Sequence, residues 1–159
     1  MIASMRPPPW QIEQWLNTDE ELSLENLKGR AIFVLAFQML CPGCVSQALP
    51  QAQRVRATFP DKDLVVIGLH CVFEHHAAQG HTAALAAFMH EYRIAIPIGI
   101  DASAAAGKVP ATMQAYRMQG TPTILIYDRS GKLVADHFGH FDDLRLGAML
   151  MSAADTERK

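Results

Sequence analysis

The sequence predicts an α/β protein with a central, mostly parallel sheet, helices on both faces and a C-terminal antiparallel hairpin. Three observations predict it. The runs "AIFVLAF" and "LVVIGLH" are apolar almost throughout and rich in β-formers, the pattern of strands buried on both faces. Each is followed by a helical pattern, and helices between buried strands make those strands parallel. Later, "TPTILIYD", "RSG" and "KLVADHFG" read as strand, turn and returning strand.

The elements follow in order. "RPPPW" is a stiff extended entry, and "PPWQIEQWLNT" reads as a short helix anchored by Trp10, Ile12 and Trp15. "ELSLENLKGR" runs to a stop at Gly29. Ala31 to Gln38 form the first buried strand, and a helix is expected from Cys44 to Phe59 with a kink at Pro50. Leu64 to His70 form the second strand, and "HCVFEHHAAQGH" is a polar, histidine-rich connection. "TAALAAFMHEYRI" is an amphipathic helix capped by Thr82, with Leu85, Phe88, Met89 and Tyr92 on one face. "IAIPIGI" is a short strand in which Pro97, lacking a ladder donor, marks an edge or an end. After the loop "DASAAAGKV", Pro110 opens a helix as its first residue. "DDLRLGAMLMSAA" closes the chain as a helix with acidic residues in its first turn. The expected organisation is an N-terminal extension over 1–22 packed on one domain over 23–152, then a frayed tail over 153–159.

A chain of 159 residues, half of them hydrophobic, suits one domain with a real core. The net charge is -2 and no basic stripe appears, which argues against nucleic acid as a partner. No apolar run is long enough to span a bilayer, and the opening "MIASMRPPPW" lacks the apolar core of a signal peptide. A cytoplasmic setting with no membrane partner is therefore expected. Three cysteines are too few for a disulfide scaffold. Two of them stand close together in "FQMLCPGCVSQALP", and in a reducing compartment such a pair is catalytic or metal-binding before it is structural.

Cys41 and Cys44 fall where a central strand ends and a helix begins. A helix N-terminus presents free N–H groups and a partial positive charge, which stabilise a thiolate. A thiolate there attacks a disulfide, and a second thiol one turn on resolves the mixed disulfide. The metal reading needs further ligands, for which Cys71, His70, His75, His76 and His81 are the candidates. It lacks a second C-x-x-C or a histidine pair at finger spacing, so no metal is expected. Cys71 itself reads as a small residue at a strand end, and His137 and His140 as surface residues. Met89, Met113, Met118, Met149 and Met151 read mostly as core fillers.

"LSLENLKGRAIFVLAFQMLCPGCVSQALP", joined to "MQGTPTILIYDRSGKLVADHFG" far along the chain, resembles the thioredoxin-fold redoxins of the TlpA-like branch. The resemblance covers roughly residues 23 to 150. It implies that Cys41 is the attacking thiol and Cys44 the resolving thiol. It also implies that Pro122 is a cis-proline facing them, and that the Thr121 backbone pairs with a bound peptide. It places "HCVFEHH…IPIGID" as the helix-and-strand insertion of redoxins and peroxiredoxins. The implied activity is reduction of protein disulfides, with a disulfide-containing protein as substrate, an upstream thiol reductase as donor, and no cofactor beyond the Cys41–Cys44 couple.

The sequence departs from the family pattern in four places. Leu40 replaces the aromatic residue usual before the first cysteine. Leu35 replaces the buried acid that some thioredoxins carry, so the Cys44 proton needs another acceptor. The dipeptide Pro-Gly brings no histidine. Pro50 comes one residue later than in the commonest pattern, which implies a wider first helical turn. Loops after parallel strands gather on one sheet edge. The "HCVFEHH" loop should therefore lie near the cysteines, offering Glu74 as proton acceptor and His75 or His76 as thiolate modulators. Two alternatives stand beside this reading. A peroxiredoxin-like peroxidase is disfavoured because Cys41 occupies the position of the peroxide-holding Thr or Ser, three residues before Cys44. The other is a non-redox binding domain on the same fold.

Overall fold

In the computed structural model, which describes residues 6–105 and 107–155, the two apolar runs form the centre of the sheet. The expectation for the first five residues and for residues 156–159 of the tail lies outside the described residues. Strand β2 (Ala31–Phe37) and strand β3 (Leu64–His70) are buried at every position and pair in parallel, Ala31 with Leu64 through Phe37 with His70. Strand β4 (Ile98–Asp101) joins β3 in parallel, and β5 (Thr123–Tyr127) pairs antiparallel with the other side of β2. Strand β6 (Leu133–Phe138) completes the expected hairpin with β5.

The N-terminal segment differs from the expectation. Ile12–Leu16 is a strand, β1, antiparallel to β4, and not a helix. The physical reason lies at Gly99. Ile12 and Trp15 close over it so tightly that an added Cβ would sit 3.0 Å from Ile12 Cδ1 and 3.1 Å from Trp15 Cζ3. Asn17 then turns the chain with φ 61° and donates to the Ile94 carbonyl at 2.8 Å. The sheet order is β1-β4-β3-β2-β5-β6, so the sheet is mixed, with its parallel strands in the middle. Pro97 ends up just before β4, which is an inner strand because β1 covers it.

Helices cover both faces, because alternate residues of β2 point opposite ways. Phe33, Leu35 and Phe37 pack with helix α1 (Leu49–Thr58), α3 (Thr82–Glu91) and α5 (Asp143–Asp155). Ile32, Val34 and Ala36 pack with α4 (Ala111–Ala115) and the N-terminal Trp10, Ile12 and Trp15. Each of the large side chains buried here contributes roughly 1.5–3 kcal/mol. A single turn, α2 (His76–Gln79), interrupts the histidine-rich connection after β3.

Several boundaries move for stated reasons. Thr82 is the first residue of α3 and not its cap; its hydroxyl lies 3.4 Å from Gln14 Oε1, and His81 takes the cap position without a side-chain bond. On that helix Leu85 and Met89 are buried, while Tyr92 is exposed against the Phe88 ring. Pro110 precedes α4, whose first N–H groups are capped from a distance: Thr112 N and Met113 N donate to the Asp101 carboxylate at 2.8 and 3.0 Å. Helix α5 runs past the expected end of the domain, with Ala153 and Ala154 buried. Among the methionines, Met89 and Met113 are core and Met151 is exposed. Among the described residues, no helix is long and apolar enough to cross a membrane.

Candidate active site

The site grows from the end of β2. Pairing stops at Phe37, whose carbonyl accepts the Cys71 N–H at 3.0 Å, and the chain turns into a helix. That helix opens with a π-helical turn, Cys44–Ala48, closed by the Leu49 N–H on the Cys44 carbonyl, and runs straight into α1. Pro50 explains the wide turn. It has no N–H for a carbonyl one turn back, and its ring would crowd a tighter helix.

Cys41 and Cys44 are joined as a disulfide with Cα atoms 5.2 Å apart. Their environments differ sharply. Cys44 is fully buried against α1 and Leu35, whereas Cys41 is only partly buried. The Cys44 N–H points at Cys41 Sγ over 3.3 Å, and the Thr121 carbonyl oxygen lies 3.5 Å from the same sulfur. The Thr121–Pro122 bond is cis. Pro122 faces the motif closely, since a Cβ on Gly43 would meet its ring at 3.7 Å. The structure thus brings together four of the residues singled out in the sequence: Cys41, Cys44, Thr121 and Pro122.

The loop after β3 also comes to the site, through Glu74 and through residues the sequence reading did not single out. Gln38 and Gln79 are both buried, directly beneath the cysteine turn. Gln38 Oε1 accepts from Phe73 N at 3.2 Å and from Gln79 Nε2 at 2.9 Å. Gln38 Nε2 reaches Thr121 Oγ1 at 3.4 Å and Glu74 Oε1 at 3.5 Å. Gln79 Oε1 accepts from Leu40 N at 2.9 Å, and its Nε2 also donates to the Glu74 carbonyl at 2.8 Å. Glu74 is therefore held against Gln38, with its carboxylate exposed. One signal for Gln38 was present: a polar residue closing an all-apolar strand must find partners once buried. Nothing in the sequence marks Gln79.

His75 and His76 are placed otherwise. His75 is exposed, with left-handed backbone at φ 52°, at the start of α2. The His76 ring is turned to the Lys108 carbonyl at 3.2 Å. His76 lines a cavity of about 470 Å³ with His70, His81, Asp101 and Lys108, none of which belongs to the cysteine turn. His70 is buried against the Phe37 ring, and burial lowers its pKa to about 4. Cys71 is fully buried; burial first, and then the neighbouring Asp101 carboxylate, push its thiol pKa up. Burial likewise raises the Asp101 pKa. Among the described residues no group of three or more histidine, cysteine or acidic side chains is arranged to hold a metal ion. Away from the site, His137 Nε2 meets the His140 carbonyl at 2.8 Å.

A redox-capable cysteine pair at this strand–helix junction of a thioredoxin-like sheet places the chain in the class of thiol–disulfide oxidoreductases. Its lineage within that class is specific. The AhpC/TSA family matches residues 8–136, and the chain belongs to that family. The solved thioredoxin-like superfamily protein SPOA0173 is 49% identical, with a TM-score of 0.91 over 94% of this chain and 96% of that one. A thiol-disulfide isomerase from Corynebacterium glutamicum is 40% identical, with a TM-score of 0.88 over 93% and 96% of the two chains. A thioredoxin-like protein solved in its oxidised form, at 20% identity and a TM-score of 0.75 over 95% of each chain, shares the fold. No curated protein sequence matches the chain.

Proposed function

We propose that the protein reduces disulfides in protein substrates through its Cys41–Cys44 dithiol. The observation that carries this reading is the asymmetry of the pair: one sulfur within reach of solvent at a helix start, the other sealed in the core. In the reduced form the Cys41 thiolate attacks a substrate disulfide, forming a mixed disulfide and releasing one substrate thiolate. The Cys44 thiolate then attacks the Cys41 sulfur, releasing the second substrate thiolate and closing the Cys41–Cys44 disulfide. Two electrons pass to the substrate, and an upstream dithiol reductase returns them. The Cys44 N–H, aimed at Cys41 Sγ, supports negative charge on that sulfur.

In this reading Thr121 and Pro122 line the place where the substrate chain lies, and the exposed Leu40 offers it an apolar contact. Glu74, exposed beside the site, is the acceptor for the Cys44 proton by way of solvent. A cytosolic setting fits a chain with so few cysteines, one of which is a buried free thiol. Insulin reduction with a dithiol donor, and peroxide consumption, each measured beside Cys41→Ser, test the proposal. Insulin reduction lost in the variant supports it. Cys41-dependent peroxide consumption without insulin reduction makes the protein a peroxidase, and neither activity makes it a binding domain.

A further inference from the structure

We propose that Gln38 and Gln79 are positioning residues: a buried amide chain that sets the Cys41 turn against Thr121 and thereby keeps the Cys41 thiol acidic and fast. This rests on the reading of Cys41 as the attacking thiol.

The backbone dictates which way both amides face. Leu40 N and Phe73 N can only donate, so the oxygen of Gln79 must face the first and the oxygen of Gln38 the second. The Gln79 NH₂ is then left for Gln38 Oε1 and the Glu74 carbonyl, and the Gln38 NH₂ for Thr121 Oγ1 and the Glu74 carboxylate. One directional chain results, from the Leu40 N–H through two amides to the Thr121 hydroxyl. Both amides are buried, so water cannot replace these partners.

The two ends of the chain are the two walls of the reactive sulfur. Leu40 is the residue before Cys41, and its N–H is the last anchored backbone group before the cysteine turn. Thr121 supplies the carbonyl 3.5 Å from Cys41 Sγ. Because Thr121 Oγ1 accepts from Gln38, its own hydrogen is left for another acceptor. Hydrogen bonds in series polarise one another, so the donor end of the chain strengthens that hydroxyl as a donor. Without the amides the turn and the Thr121 loop lose their common brace, and the thiolate loses part of its support.

The test is the pH profile of Cys41 alkylation in the reduced protein, with peptide mapping, in wild type, Gln38→Met and Gln79→Met. Arg129→Met, at the opposite end of the sheet, serves as the stability control. The expected result is a profile displaced to higher pH and an alkylation rate at pH 7 reduced about tenfold in both glutamine variants, with the control unshifted. Unshifted profiles in folded glutamine variants would overturn the proposal and leave a structural role only. Should those variants not fold, Thr121→Val removes only the far end of the chain. It should shift the profile the same way, and an unshifted profile there overturns the proposal as well. Faster alkylation of Cys44 than of Cys41 in wild type is a different failure, that of the underlying assignment.

Discussion

Cys41 Sγ and the carbonyl oxygen of Thr121 lie 3.5 Å apart, although 80 positions separate them in the chain. The contact exists because β2 and β5 are neighbours in the sheet and run in opposite directions. The end of one therefore meets the beginning of the other, Ala36 opposite Thr123. The cysteine-bearing segment and a second segment without redox groups of its own make one edge of the sheet.

The first prediction concerns order of reaction. Cys41 is reachable and Cys44 is sealed, so Cys44→Ser is expected to accumulate mixed disulfides with substrate proteins. Cys41→Ser is expected to accumulate none. Non-reducing gels after acid quench check this, and equal trapping by both variants would refute the assignment.

The second prediction uses His70. Its folded pKa, about 4, lies below the ordinary 6.5, so between those values the unfolded chain binds the extra proton. Stability is therefore fully present above about pH 6.5 and is lost as pH falls toward 4, by up to roughly 3 kcal/mol. Asp101, with its raised pKa, works in the opposite sense, so the comparison is made between wild type and His70→Phe. Urea unfolding across pH 4–7 is expected to show a steeper acid loss in wild type. Parallel curves would reject it.

Much of this arrangement was legible in the sequence, and the exceptions have physical causes. Ala31–Phe37 and Leu64–His70 were readable because strands buried on both faces leave no periodicity to misjudge. Ile12–Leu16 was not. Its register shifts between Ile12 and Gln14, which destroys the alternation of an edge strand and leaves spacings that also suit a helix. At the site, Cys41 and Cys44 were visible by spacing, and Thr121 and Pro122 through the family resemblance of "GTPT". Gln79 was not visible, and Gln38 showed only as the polar end of an apolar strand, because a glutamine's burial depends on partners brought by other loops. The approach of the "HCVFEHH" loop followed from parallel topology, but the His76 ring is turned to the Lys108 carbonyl.

The third prediction is steric. Gly68 sits in β3 where an added Cβ would come within 3.1 Å of Ile98 Cγ1 and 3.2 Å of Phe37 Cε1. Gly68→Ala is expected to cost about 1–3 kcal/mol by overpacking. Chemical denaturation measures it, and an unchanged midpoint would mean that Phe37 repacks freely.

The fourth prediction concerns Arg129. It donates to Asp63 Oδ1 at 2.9 Å and to the Gly29 carbonyl at 2.8 Å, and also bonds the Ala154 carbonyl, tying three segments at the base of the sheet. The ion pair is largely shielded, with side-chain exposures of 13% and 25%. Arg129→Met is expected to destabilise by about 2–3 kcal/mol while insulin reduction stays intact. A loss of activity at unchanged stability would contradict this.

The antiparallel edge strand has a spectroscopic consequence. The chain has two tryptophans, and both belong to its N-terminal segment. Trp10 donates to the Tyr127 hydroxyl at 3.1 Å, opposite Ile32 at the opening of β2, while the cysteines follow the close of that strand, roughly 16 Å further on. The Trp15 ring lies over Gly99 on β4, two strand spacings, about 10 Å, from β2. Neither indole is close enough to the disulfide for its sulfurs to quench emission. Oxidised and reduced protein should share one tryptophan spectrum, and fluorescence will instead report whether the N-terminal segment is seated on the sheet.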